Sequence, residues 1–131
     1  MKIETTKKET RFIRAYFEAV RFTEAREDHD PEFCEIWKRE QVLECLAFFV
    51  YAEHMLCDKA IEQAGHDFWL SRNGHGTGFW DRDRYYYKDC IRDWLQRRAQ
   101  TFGESDVLYE ELDIDEWERL RHRYPMIEES F

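Results

Sequence analysis

The feature that most restricts the path of this chain is residues 66–81, HDFWLSRNGHGTGFWD. Three glycines alternate at positions 74, 76 and 78, and Asn73 precedes the first. Glycine tolerates positive φ, and Asn-Gly between apolar runs is a strong hairpin cue. Phe68-Trp69-Leu70 and Phe79-Trp80 flank the turn and read as strands. The segment therefore predicts an antiparallel hairpin over about 67–81. On it, Phe68 and Leu70 share one face and Trp69 lies opposite. Residues 107–109 (VLY) read as a further short strand, to about 110.

Helical signals surround the hairpin. Thr6 and Glu9 form a capping-box pattern, and Phe12, Ile13, Tyr16, Phe17 and Val20 follow at helical spacing. Asp30-Pro31 opens a second helix. Its apolar period runs to Gly65, a predicted C′ stop, with a break expected near residues 38–41 (KREQ). Tyr87, Ile91, Trp94, Leu95, Arg98 and Phe102 define a third helix ending at Gly103. Asp113 with Glu116 caps a fourth, which carries Trp117, Leu120 and Tyr124 and stops at Pro125. The expected class is α+β: one domain over 1–131, mostly helical, with four to five helices packed on a small antiparallel sheet.

Composition excludes several alternatives. Aromatic residues make up 17% of the 131, too many for a disordered chain. The longest apolar run, residues 46–52, is far short of the ~18–20 residues of a membrane span. No apolar export segment follows the N-terminal MKIETTKKET, so the expected compartment is cytoplasmic, with reduced cysteines. Cys34, Cys45, Cys57 and Cys90 lack the paired spacing of a zinc site, so neither metal nor cofactor is expected.

The net charge of −9 is concentrated. Residues 27–66 and residues 104–131 each carry ten acidic against three basic side chains, whereas residues 67–103 carry five against seven. Glu27, Asp28, Glu110, Glu111, Asp113, Asp115 and Glu116 are the candidate acidic surface. Arg82, Arg84 and Lys88 interleave with Tyr85, Tyr86 and Tyr87, a pattern used on single-stranded nucleic acid. Asp81, Asp83 and Asp89 in the same stretch, and the overall acidity, disfavour direct nucleic-acid binding.

Residues 63–81, QAGHDFWLSRNGHGTGFWD, and residues 101–109, TFGESDVLY, resemble a signature of small bacteriophage and prophage proteins. That signature has the form HDFWL-x-RNGHG-x-GFWDR, then a helix, then FGE-x-D-x-Y. The resemblance covers roughly residues 63–109 and implies a phage or mobile-element protein working in a bacterial host's cytoplasm. It implies no activity. Where such proteins often have a Gly/Asp turn and another strand after the final Tyr, this chain has the acidic segment 113–123.

His66, Arg72, Asn73, His75, Trp80 and Asp81 are the candidate binding residues of the hairpin. No Ser or Cys lies in a nucleophile elbow, so no catalytic residue is assigned. The expected role is binding of a host or phage protein, as in inhibition of a CRISPR or restriction nucleoprotein through acidic surface. The alternative is a small hydrolase or nuclease using the hairpin's polar groups.

Overall fold

A computed structural model of the chain describes residues 2–24, 33–109 and 112–131. Five helices dominate: α1 (Lys7–Glu24), α2 (Glu35–Ala52), α3 (Ile61–Arg72), α4 (Asp89–Thr101) and α5 (Ile114–Leu120). Three 3-10 turns, Glu53–Met55, Asp58–Ala60 and Phe79–Asp81, punctuate them. The only sheet among the described residues is a two-stranded parallel pair. It aligns β1 (Lys2–Ile3) with β2 (Met126–Ile127), Lys2 opposite Met126.

The mostly helical reading holds, but the antiparallel sheet does not. Residues 61–72 are helical, so Phe68, Trp69 and Leu70 belong to α3. Ile61, Ala64, Gly65, Phe68, Trp69 and Arg72 are all buried at i, i+3, i+4, i+7, i+8 and i+11. That is a 3.6-residue period, which outweighs the β propensity of three bulky residues. Phe79 and Trp80 lie in a 3-10 turn, and residues 107–109 run as irregular chain; Glu110 lies outside the described residues. The Leu108 carbonyl instead accepts a hydrogen bond from the Cys34 amide at 2.7 Å.

The glycines between residues 74 and 78 take positive φ as expected, although what they join differs and Asn73 does not share it. Gly74 and Gly76 have φ of 64° and 74°. Asn73 stays at φ −102°, ending α3 rather than entering the left-handed region. Gly78 meets a second demand, because a Cβ there would sit 2.1 Å from Ser71 Oγ.

Gly65 does not stop a helix; it lets two helices cross. A Cβ at this position would lie 2.3 Å from the Phe12 carbonyl oxygen and 2.8 Å from Ala15 Cβ. α1 and α3 thereby form the most extensive helix pair of the fold. The expected break near residues 38–41 is also displaced. α2 runs through it, with Arg39 and Gln41 buried, and the chain bends at residues 53–60. Arg11 clamps that bend, donating to the Asp58 carboxylate and carbonyl and to Glu62.

The caps read at Thr6 and Asp113 form, whereas Asp30-Pro31 lies outside the described residues and α2 begins at Glu35. The Thr6 amide donates to Glu9 Oε1 at 2.8 Å and the Glu9 amide to Thr6 Oγ1 at 3.2 Å. Asp113 accepts from the Glu116 amide at 2.9 Å. Gly103, at φ 73°, follows α4.

The core is one contiguous aromatic cluster. Phe48 stacks on Phe68 at 4.2 Å and 11°, Phe12 packs on Phe49 at 4.9 Å, and Trp69 meets Tyr16 edge-on. The terminal Phe131 is buried and stacks on Phe17 at 6.0 Å.

The helix crossing predicts the sign of one substitution. Ala ordinarily improves a helix interior over Gly by about 1 kcal/mol. Gly65→Ala is instead expected to lose about 1–3 kcal/mol in urea unfolding, the usual range for overpacking. A gain in stability would contradict the close approach.

Candidate functional site

The polar residues of the signature divide between two buried networks, a loop and a surface cleft. The first network centres on Arg72, whose side chain is 1% exposed at the end of α3. Its Nη1 donates to Glu44 Oε2 at 2.7 Å, Tyr16 Oη at 3.2 Å and Gln41 Oε1 at 3.4 Å. Nε donates to the Gly103 carbonyl at 2.9 Å and Nη2 to that of Phe102 at 3.2 Å. Tyr16 Oη donates to Gln41 Oε1. Burial pushes both the Tyr16 hydroxyl and the nearby Cys45 thiol well up from their ordinary values, so both are neutral.

The second network holds Asp67, which is fully buried on α3. Its Oδ1 accepts from Arg82 Nε at 2.9 Å and Gln63 Nε2 at 3.1 Å, and Oδ2 from Tyr87 Oη at 2.8 Å. Burial raises this carboxyl above its ordinary value, opposed first by Arg82 and then by Tyr87 and Gln63. Tyr87 is raised too, by burial and then by the Asp67 charge.

Loop contacts occupy most of what remains. Asn73 accepts from the Ser105 amide at 2.8 Å and donates to the Trp69 carbonyl at 3.0 Å. Asp81 accepts from the Gly78 amide at 2.9 Å and the Thr77 hydroxyl at 2.7 Å. Burial is the largest single influence on the Asp81 carboxyl and raises it, but the Thr77 and Gly78 donors together with the Arg82 charge outweigh it and hold the carboxyl below its ordinary value. Ser71 donates to Gln96 and accepts from the Phe79 amide. Thus Arg72, Asn73 and Asp81, three of the six candidates, have structural occupations.

His66 and His75 come together in an open cleft of about 610 Å³ between α1, α3 and the glycine loop. Glu18, Phe22, Thr77 and Arg82 also line it. His66 lies inside α3, not after its end, and its Nε2 is 3.2 Å from Glu18 Oε2. His75 is exposed, its amide donating to the Leu70 carbonyl. Phe22 stands 85% exposed at the cleft. Trp80 is exposed but does not line this cleft.

Of the acidic candidates, Glu27, Asp28, Glu110 and Glu111 lie outside the described residues. Asp113, Asp115 and Glu116 are exposed at the start of α5, with Asp113 engaged as its cap. Sequence reasoning missed Asp67, Glu44, Gln41 and Glu18, and read Tyr87 only as part of an aromatic–cation run and a helical face. Asp67 carried one signal, a carboxylate on the apolar face of a helical period, but strand periodicity hid it.

Among the described residues, no group of three or more His, Cys, Asp or Glu is placed to hold a metal ion. No described helix is long and apolar enough to cross a membrane. Comparison with known proteins found no matching family profile, no matching characterised sequence and no matching solved structure.

The Asp67–Arg82 pair predicts a pH-dependent stability. Arg82→Ala removes the largest influence opposing the burial of Asp67, so the carboxyl rises further from its ordinary 3.8. The folded chain then holds more protons than the unfolded one between that value and the raised one, and stability falls as pH rises through the interval. The variant is expected to lose about 3 kcal/mol at neutral pH and to recover part of it on acidification. Asp67→Asn added to Arg82→Ala should flatten that dependence. A loss that does not change with pH, measured by urea unfolding from pH 4 to 8, would contradict the assignment.

Proposed function

We propose that this chain acts by binding a protein partner through the acidic face of α5. The observation that carries the reading is Ile114, 75% exposed and flanked by Asp113, Asp115 and Glu116. An apolar anchor inside a charged rim has the anatomy of an interface. Trp117 and Leu120 of the same helix pack against the core, so the helix is held with Ile114 outward. Among the described residues, Asp115 and Glu116 have no ion-pair partner. Such a face complements a basic groove, and complementary potentials steer association.

With the phage-type signature, the reading becomes inhibition of a host defence nucleoprotein, CRISPR or restriction, in the bacterial cytoplasm. The signature residues support binding over catalysis, because Arg72, Asn73 and Asp81 are committed to internal hydrogen bonds. A second reading has one specific observation behind it. The His66–Glu18 contact lies in a cleft with the Thr77 hydroxyl, an arrangement open to acid–base chemistry in a small hydrolase. His66→Ala would abolish any such activity while leaving partner binding intact.

The chain expressed in bacteria carrying a CRISPR or restriction system is expected to raise the plating efficiency of a targeted phage. Asp115→Lys with Glu116→Lys should remove that effect, at a stability cost of only about 0.5–1 kcal/mol per charge at a helix N-terminus. Undiminished protection by the folded double variant would overturn the role of α5.

A further inference from the structure

A second groove lies on the opposite chemical footing from the acidic blocks. It has a volume of about 470 Å³, within the roughly 300–1,000 Å³ of small-ligand sites. His54, Lys59, Arg84 and Lys88 line it, and no carboxylate does. Tyr85, Tyr86, Met55, Leu56 and Ile91 supply aromatic and apolar wall. The bend after α2 brings His54, Met55, Leu56 and Lys59, and the segment entering α4, with Ile91 in its first turn, brings Arg84, Tyr85, Tyr86 and Lys88. The groove therefore exists only because the chain bends at residues 53–60.

The cations are weakly neutralised. Among the described residues, His54, Lys59 and Lys88 have no carboxylate within 4.0 Å. Lys59 Nζ lies 3.9 Å from the centroid of the Tyr85 ring. Arg84 is paired, at 2.9 Å to Asp89, but that carboxylate is shared with Arg92. Tyr85 is 58% exposed and meets Tyr86 edge-on at 4.9 Å. Two unpaired lysines beside the exposed Tyr85 ring and the half-buried Tyr86 match an anion that carries a flat ring.

We propose that this groove binds a nucleoside monophosphate, with Lys59, Lys88 and His54 on the phosphate and the Tyr85–Tyr86 wall on the base. The net charge of −9 limits the ligand to a small anion, because a polynucleotide would bring its phosphates against the acidic remainder of the surface. The groove shares no lining residue with the cleft at His66 and none with α5.

The test is calorimetric titration of the full chain with AMP, with adenosine and inorganic phosphate as separate arms. Saturable one-to-one binding of AMP is expected, with each part alone at least about tenfold weaker. Lys59→Ala with Lys88→Ala should weaken AMP by at least about tenfold, whereas Lys7→Ala with Lys8→Ala, at the exposed start of α1, should not. Bound AMP should also slow alkylation of Cys57, which lines the groove, and leave Cys90, also exposed, unchanged. Circular dichroism of each variant separates lost binding from lost fold. Absence of saturable AMP binding, equal binding by the folded Lys59/Lys88 variant, or binding of a ten-nucleotide single strand without AMP binding would overturn the proposal.

Discussion

The fold depends on what a buried guanidinium demands. Arg72 cannot be neutralised at any ordinary pH, so every N–H it carries into the interior needs an acceptor. The chain supplies acceptors from separate elements: Tyr16 on α1, Gln41 and Glu44 on α2, and the carbonyls of Phe102 and Gly103 at the end of α4. One side chain thereby fixes how three helices sit around α3. Phe68 and Phe102 flank the guanidinium at 5.4 and 5.9 Å, so the charge is also packed against aromatic rings. Loss of an acceptor leaves a buried guanidinium N–H without its partner.

Asp67 repeats the principle on the other side of α3. Its carboxylate gathers Gln63 from its own helix, Arg82 from the segment after the glycine loop, and Tyr87 just ahead of α4. The glycines make the return possible, and Ser71 and Asn73 pin the loop against α4 and residue 105. Residues 66–82 thus form the joint between α3 and the C-terminal half.

How much of this was legible in the sequence follows from the range of each signal. The Thr6–Glu9 and Asp113–Glu116 caps are local, and both formed as read. Gly103 ended α4 for the same reason. Phe68-Trp69-Leu70 was misread because three consecutive bulky residues carry both periods until Ile61, Ala64 and Gly65 are counted with them. Gly65 was misread because a helix stop and a helix crossing use the same residue, and only the position of Phe12 and Ala15 distinguishes them. The bend at residues 53–60 has no Pro or Gly to announce it and is held by Arg11, some fifty residues earlier in the chain. At the site, burial decided the outcome: the sequence could nominate Arg72 and His75 alike, but one lies in the interior and the other in solvent.

Arg72 thus holds α1, α2, α3 and α4 together as one cooperative unit, and native-state amide hydrogen exchange of the wild type and Arg72→Ala measures that cooperativity. The slowest amides of α1, α2, α3 and α4 should lose protection together in the variant, each by the same free energy. Loss of protection confined to the last turn of α3 and to residues 102–105, with α1 and α2 unchanged, would contradict it.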